Sequence, residues 1–283
     1  MTANLIDGKK VAEAVKTELK GIIDNIVDDG REPPCLAVIL VGDDEASKVY
    51  VGHKEKACAL VGVKSLTYRL PNDTSQDALE ALIAELSDDP SVNGILLQLP
   101  LPRHLNKERA IDLISPRKDV DGLHPYNQGM LAGGRVGLFP CTPLGIMRLI
   151  TSTGMNLNGK VAVVVGRSML VGAPVSHMLN HAGASVINLH SRSVNPWELA
   201  RLGDILVVAT GVRHLVDKRW IKPGAVVIDV GIHRHHGKLV GDVNFDDARD
   251  AAGHITPVPG GVGPMTIAML LSNCVKAWQL ARQ

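Results

Sequence analysis

The sequence predicts an α/β protein with about two domains. Short apolar, β-branched runs alternate with segments of helical period, the pattern of β-α-β units. The chain of 283 residues is long enough for two buried cores. The third observation is VAVVVGRSMLVGAP (161–174), where an apolar strand runs into Gly166 and a helix opens near Gly172 and Pro174. Strand, glycine turn and helix N-terminus together bring backbone N–H groups onto an anion, as in dinucleotide sites. The spacing is G-x-x-x-x-x-G rather than G-x-G-x-x-G, so a glycine turn without a ligand stays open at this point.

Residues 9–28 keep a helical period, with Val11, Val15, Leu19, Ile22, Ile23 and Ile26 on one side. After Pro33 and Pro34, CLAVILVG (35–42) reads as a strand closing on a glycine. The next segment, DEASKVYVGHKEKACALVGV, is helical, and at 100° per residue Tyr50, Lys54, Ala57, Cys58 and Val61 share a face. Lys54 thus falls in an apolar stripe. It either snorkels past a hydrophobic edge or holds an ammonium in a cleft, where desolvation lowers its pKa and suits it to proton transfer. A strand at KSLTYRL, a helix over SQDALEALIAELSDD and a strand at GILLQLPL (94–101) follow. Gln98 is a polar amide in that apolar strand, costly unless hydrogen-bonded. Pro100 and Pro102 mark the strand end, where open α/β sheets bind ligands. A helix over NKERAIDLI leads into PRKDVDGLHPYNQGML, read as turn-rich. Asp119 and Asp121 there suit ordinary turn chemistry.

In the second half, Thr142-Pro143 looks like an N-cap followed by a helix-opening proline. Beyond the glycine turn, VSHMLNHAGA is helical with Gly183 placed to stop it, and ASVINLHSRS is the next strand. An NAD-binding protein commonly has an acidic residue near the end of that strand for the ribose. Here the region offers His190, Ser191, Arg192 and Ser193, which suit a 2′-phosphate, and Arg167 could add a cation. The expected cofactor is NADP rather than NAD. Asn195-Pro196 caps a short helix, DILVVATG and AVVIDVGI (225–232) are strands, and HRHHGKLVGDV is a hairpin. Its three histidines lack a defined ligand spacing, so no metal is expected. TPVPGGVGPMT is a rigid loop leading into a helix from about Met265.

Composition narrows the function classes. A net charge of +1 and 3% aromatic residues give no basis for nucleic acid as a partner. No apolar run approaches the ~20 residues that span a bilayer, so no membrane is expected either. The N-terminus lacks a signal-peptide core, and four scattered cysteines without a C-x-x-C pair suit reduced thiols. A cytoplasmic protein is expected.

SKVYVGHKEKA, GILLQLPLP, KDVDGLHP, PCTPLGI, VVVGRSMLVGAP, GAVVIDVGI and TPVPGGVGPMT, in this order, resemble the bifunctional methylenetetrahydrofolate dehydrogenase/methenyltetrahydrofolate cyclohydrolase family. The resemblance spans nearly the whole chain. It implies an N-terminal folate-binding catalytic domain (1–139 with 264–283), an NADP-binding Rossmann-like domain (140–263), and a C-terminal helix returning to the first domain. It further implies folate held in a cleft between the domains, a homodimer, and one-carbon supply to purine, histidine and methionine biosynthesis. By resemblance, Lys54 is the catalytic lysine, Tyr50 stacks on the folate, Gln98 sets the protonation of Lys54, and Asp121 holds the pterin. Leu99, Pro100, Pro259, Gly260, Gly261, Pro264 and Thr266 complete the expected folate contacts. Gly166, Arg167, Ser168, Ser191 and Ile232 match the cofactor contacts, with Arg192 beside them. His53, Leu97 and Cys274 depart from the family pattern without removing a chemical group. A dehydrogenase without the hydrolytic step and a non-enzymatic NADP-binding protein are the rival readings.

Overall fold

A computed structural model describes residues 2–282 of the chain. The chain forms two compact α/β units, and neither is one continuous stretch. One comprises Ala14–Cys141 with the segment from Ile267 onward; the other comprises Thr142–Thr266 with the N-terminal segment up to Glu13. The expected first domain is 1–139 with 264–283; in this division the segment up to Glu13 goes with the Thr142–Thr266 unit. Strand β1 (Asn4–Leu5) pairs with β11 (His254–Ile255) within the unit that holds the N-terminal segment, a long-range pairing that two residues of local sequence do not signal.

In the Ala14–Cys141 unit, helix α1 (Gly8–Asp28) precedes β2 (Cys35–Val41), α2 (Glu45–Val61), β3 (Lys64–Leu70), α3 (Gln76–Asp88), β4 (Gly94–Leu97), α4 (Lys107–Leu113) and α5 (Pro125–Ala132). Its three strands form a parallel sheet in the order β3-β2-β4. Every residue of β2 is buried, as a central parallel strand covered on both faces requires. Ala37, Ile39 and Val41 pack with Leu79, Ile83 and Leu86 of α3 and with Ile95 and Leu97 of β4. Full burial of a leucine or isoleucine such as Leu79 or Ile83 contributes about 1.5–3 kcal/mol. Ser75 caps α3 by accepting from the Ala78 N–H.

Two expectations change here. The strand at 94–101 ends at Leu97, and Gln98 stands just beyond it, where the chain turns through the cis Leu99–Pro100 peptide. The turn-rich stretch contains α5, which opens with Pro125 at its first turn and with His124 as its cap.

In the Thr142–Thr266 unit, α6 (Cys141–Ser152) leads to β5 (Val161–Val165), α7 (Gly172–His181), β6 (Ser185–Leu189), α8 (Pro196–Ala200), β7 (Ile205–Val208) and β8 (Val226–Asp229). The hairpin β9 (His233–His235) and β10 (Lys238–Val240) follows, then α9 (Phe245–Ala248) and β11. Six strands lie in the order β1-β11-β8-β7-β5-β6, every pairing parallel. Val163, Val165, Leu206, Val208, Val227 and Ile255 build its core. Asn195 stands before α8 in a left-handed conformation and makes no side-chain cap. The last helix, α10 (Val262–Leu280), starts three residues earlier than expected and takes the chain back to the first unit, where Trp278 Nε1 donates to the Glu32 carbonyl at 3.0 Å.

Candidate active site

In the first unit the α2 helix buries Ser47, Val51, Cys58 and Val61, the spacing of one helical stripe, with Lys54 half-buried in its middle. Tyr50 is an expectation to correct in part. It is 51% exposed, at the border of this stripe rather than within it. Lys54 Nζ donates to Gln98 Oε1 at 2.8 Å, and Gln98 Nε2 donates to the Leu99 carbonyl at 2.6 Å. The amide is thereby oriented with its oxygen toward the lysine, which meets the hydrogen-bonding need of a polar residue at an apolar strand end. Burial lowers the pKa of Lys54, opposed by the negative charge of Asp121. Burial raises that of Asp121, opposed by the Lys54 ammonium and reinforced by Asp119. Each group therefore sits closer to its neutral form than it would in water.

Asp119 and Asp121 have distinct tasks. Asp119 is buried and accepts from the N–H groups of Gly122, Leu123 and His124 and from Asn127 Nδ2 at 2.9–3.2 Å. It is the staple of the turn, in keeping with the turn chemistry expected of it. Gly122, at φ +71°, lies where a Cβ would come within 2.2 Å of the Phe139 carbonyl carbon. Asn273 Nδ2 donates to the Val120 and Phe139 carbonyls at 2.8 Å each, and Cys141 Sγ donates to Val120 O at 3.2 Å. Asp121 is thus presented by a turn fastened on both sides. Asn127 and Asn273 carry no sequence signal of this role, because Asn127 reaches back to Asp119 and Asn273 joins carbonyls 153 and 134 residues away.

The other expected folate residues belong to the second unit. Pro259, Gly260, Gly261, Pro264 and Thr266 run through the loop into the first turns of α10. Gly8 approaches so closely that a Cβ there would lie 1.8 Å from Gly261 O, and Thr266 Oγ1 shares a 3.2 Å hydrogen bond with Thr142 Oγ1.

The second unit also contains a pocket of about 400 Å³ at the C-terminal ends of β5, β6 and β7. Gly166 has φ +119°, and a Cβ there would stand 2.1 Å from Ala209 O; one on Gly172 would stand 2.2 Å from Gly166 O. These contacts account for the glycine spacing, since bare backbone closes the turn onto the next strand and onto the helix start. The pocket brings together Gly166, Arg167, Ser168 and Ser191. Arg192 and Ile232 are exposed and stand outside its lining. His190 and Ser193, which the sequence offers beside Ser191, also line it, as do Pro196, Thr210 and Val212, for which a position just past a strand end is the available signal. A backbone cradle, serine hydroxyls and a guanidinium suit a phosphorylated dinucleotide. Among the described residues, no group of three or more His, Cys, Asp or Glu is placed to hold a metal. None of the described helices is long and apolar enough to cross a membrane.

Residues 6–121 match the catalytic-domain model, and residues 140–282 the NAD(P)-binding-domain model, of tetrahydrofolate dehydrogenase/cyclohydrolase. A bifunctional protein FolD of Agathobacter rectalis is 51% identical over 276 residues, which is 97% of this chain and 99% of that protein. The crystal structure of the Campylobacter jejuni bifunctional methylenetetrahydrofolate dehydrogenase/cyclohydrolase is similar with a TM-score of 0.95 at 47% identity, covering 98% of this chain and 99% of the other. The Trypanosoma brucei enzyme, solved with NADP cofactor and an inhibitor, gives a TM-score of 0.93 at 38% identity, over 100% and 99% of the two chains.

Proposed function

This chain belongs to the tetrahydrofolate dehydrogenase/cyclohydrolase family, and on that premise we propose that it carries out both reactions. It oxidises 5,10-methylenetetrahydrofolate to the 5,10-methenyl form with NADP⁺, then hydrolyses that to 10-formyltetrahydrofolate. The observation that carries the reading is the desolvated Lys54 ammonium held at 2.8 Å by Gln98 beside Asp121.

NADP⁺ supplies the hydride acceptor for the first reaction. Gly166, Arg167, Ser168 and Ser191 would hold and orient that cofactor, with the Arg192 guanidinium as a partner for its 2′-phosphate and Ile232 as an apolar contact. Asp121 holds the pterin, Tyr50 stacks on the folate, and Leu99, Pro100, Pro259, Gly260, Gly261, Pro264 and Thr266 complete its contacts. In the second reaction water adds to the methenyl carbon and loses a proton to Lys54, which returns it to N5 as the bond from that carbon to N5 opens. The remaining hydroxyl proton leaves to solvent as the formyl C=O forms. The lowered pKa of Lys54 acts in two ways: it raises the share of neutral amine that can take the proton, and to the same extent it weakens repulsion of the cationic methenyl substrate. Gln98 holds the nitrogen in place through both states, because its oxygen accepts from an amine as well as from an ammonium.

We assign the protein to the cytoplasm, as a homodimer that supplies one-carbon units for purine, histidine and methionine biosynthesis. Support for self-association is the edge strand β3, paired only to β2 among the described residues and so open to another strand along its outer side. The functional test follows NADPH and methenyltetrahydrofolate by absorbance, starting from methylenetetrahydrofolate with NADP⁺ or NAD⁺. NADP⁺ reduction with enzyme-dependent decay of the methenyl signal is the expected result. A persistent methenyl signal would reduce the assignment to a dehydrogenase, and no reduction with either cofactor would overturn it.

A further inference from the structure

One wall of the dinucleotide pocket is formed by Ala209, Thr210, Val212 and Leu215, on the segment that follows β7. Its shape depends on a carboxylate outside the pocket lining. Asp242 is fully buried, and three donors of this wall converge on its Oδ2: Thr210 N at 2.6 Å, Thr210 Oγ1 at 2.9 Å and Gly211 N at 2.9 Å. The same hydroxyl accepts from Val212 N at 3.1 Å. The backbone beside Asp242 extends the attachment, as Gly241 O accepts from His214 N and Asp242 O from Val216 N. Oδ1 faces the other way and accepts from His233 Nε2 at 2.7 Å.

A second buried carboxylate sits behind the first. Asp229 accepts from Gly231 N, Asp242 N and Val243 N at 2.9–3.0 Å, and its own N–H donates to Thr256 Oγ1 at 2.8 Å. The space is made by two missing side chains. A Cβ on Gly231 would lie 2.1 Å from Asp242 Oδ1, and one on Gly241 1.8 Å from Asp229 Oδ2. Burying two acids this close is unfavourable unless backbone donors saturate them, as happens here. A core of apolar residues would have met the packing need alone; the carboxylates add a fixed direction for the wall's N–H groups.

We propose that Asp242 is a positioning residue for the dehydrogenase reaction: through Thr210 and Gly211 it holds the cofactor-facing wall at its distance from Gly166, with His233 and Asp229 keeping the carboxylate aligned. This rests on the NADP reading given above. Ile232 directly precedes His233, so the bond from His233 to Asp242 also restrains the backbone of that expected cofactor contact.

Asp242→Asn places an amide where every neighbour is a donor, so either the wall or His233 loses its acceptor. The expected result is a rise of about tenfold in both KM and Kd for NADP⁺, with kcat for the dehydrogenase changed by less than about threefold. Hydrolysis of methenyltetrahydrofolate, which needs no cofactor, is expected to stay within about twofold of wild type, a readout that general damage to the fold would not spare. His233→Ala should shift NADP⁺ affinity in the same direction, and His233→Gln, which keeps a donor, should restore it. That pair decides the matter if Asp242→Asn does not fold. Unchanged NADP⁺ affinity, or a parallel loss of hydrolysis, would overturn the assignment. A wild-type chain that itself bound no NADP⁺ would overturn the cofactor reading and the inference with it.

Discussion

The dinucleotide pocket and the Lys54 site are built by opposite means. The pocket is shaped by side chains that are missing: Gly166 and Gly172 let backbone approach backbone at distances where a Cβ would overlap. The Lys54 site is shaped by side chains brought together over 44 positions of sequence, and its character comes from stripping water from charges. Steric fit governs the first and electrostatic environment the second. A substitution in the pocket should therefore damage the oxidation and leave hydrolysis of the methenyl form, which requires no dinucleotide, while a change at Lys54 should leave NADP⁺ binding intact.

The largest effect is expected from Gly166→Ala. Its Cβ would meet Ala209 O at 2.1 Å on a backbone of φ +119°, so the turn must open or the strand must move. NADP⁺ affinity measured by calorimetry should fall by about a hundredfold, with a stability loss of about 2–4 kcal/mol by denaturant titration. Cofactor-free hydrolysis should persist in the fraction that folds. If hydrolysis fell as far as NADP⁺ affinity, the separation of the two regions would fail.

A smaller effect sharpens the cofactor half. Arg192→Ala removes an exposed guanidinium, and exposed charge pairs are weak, so the ratio of kcat/KM for NADP⁺ over NAD⁺ should drop about tenfold at most. An unchanged ratio would leave discrimination to Arg167, Ser191 and their neighbours. The smallest signal concerns Asp229, whose pKa burial raises to about 6. An acid with a folded pKa above its unfolded value, about 3.9, binds its proton more tightly when folded. Asp229 thus weakens the fold above pH 6, and that penalty disappears as the pH falls through 6 toward about 4. Carboxyl carbon NMR should show its midpoint near 6; one near 4 would mean that the backbone donors outweigh burial.

What could be read from sequence divides along similar lines. The helical period placed Lys54 in a buried stripe, and the polarity of Gln98 in an apolar run marked it as needing a partner. Both are local signals with a fixed chemical demand. The Gly166–Gly172 spacing announced a close turn for the same reason. By contrast, Asp229 at a strand end and Asp242 in a loop carry no sequence signal of their role, because it lies in N–H groups supplied by distant segments. Strand β1 is two residues long and exists only through pairing with β11. Helix α5 was hidden by its own composition, since proline, asparagine and glycine mark turns as readily as they open or tolerate a short helix. Tyr50 lay close enough to the apolar face to be counted within it, although the helix leaves it about half exposed.

The measurement that bears most directly on the two-region account is Lys54→Met, assayed for hydrolysis of methenyltetrahydrofolate and for NADP⁺ affinity. Methionine keeps an unbranched stem of four heavy atoms and removes the nitrogen with its exchangeable protons. The account predicts that hydrolysis falls at least about a hundredfold while the NADP⁺ Kd stays within about twofold. Hydrolysis at the wild-type rate would contradict it, since Lys54 would then move no proton in the reaction.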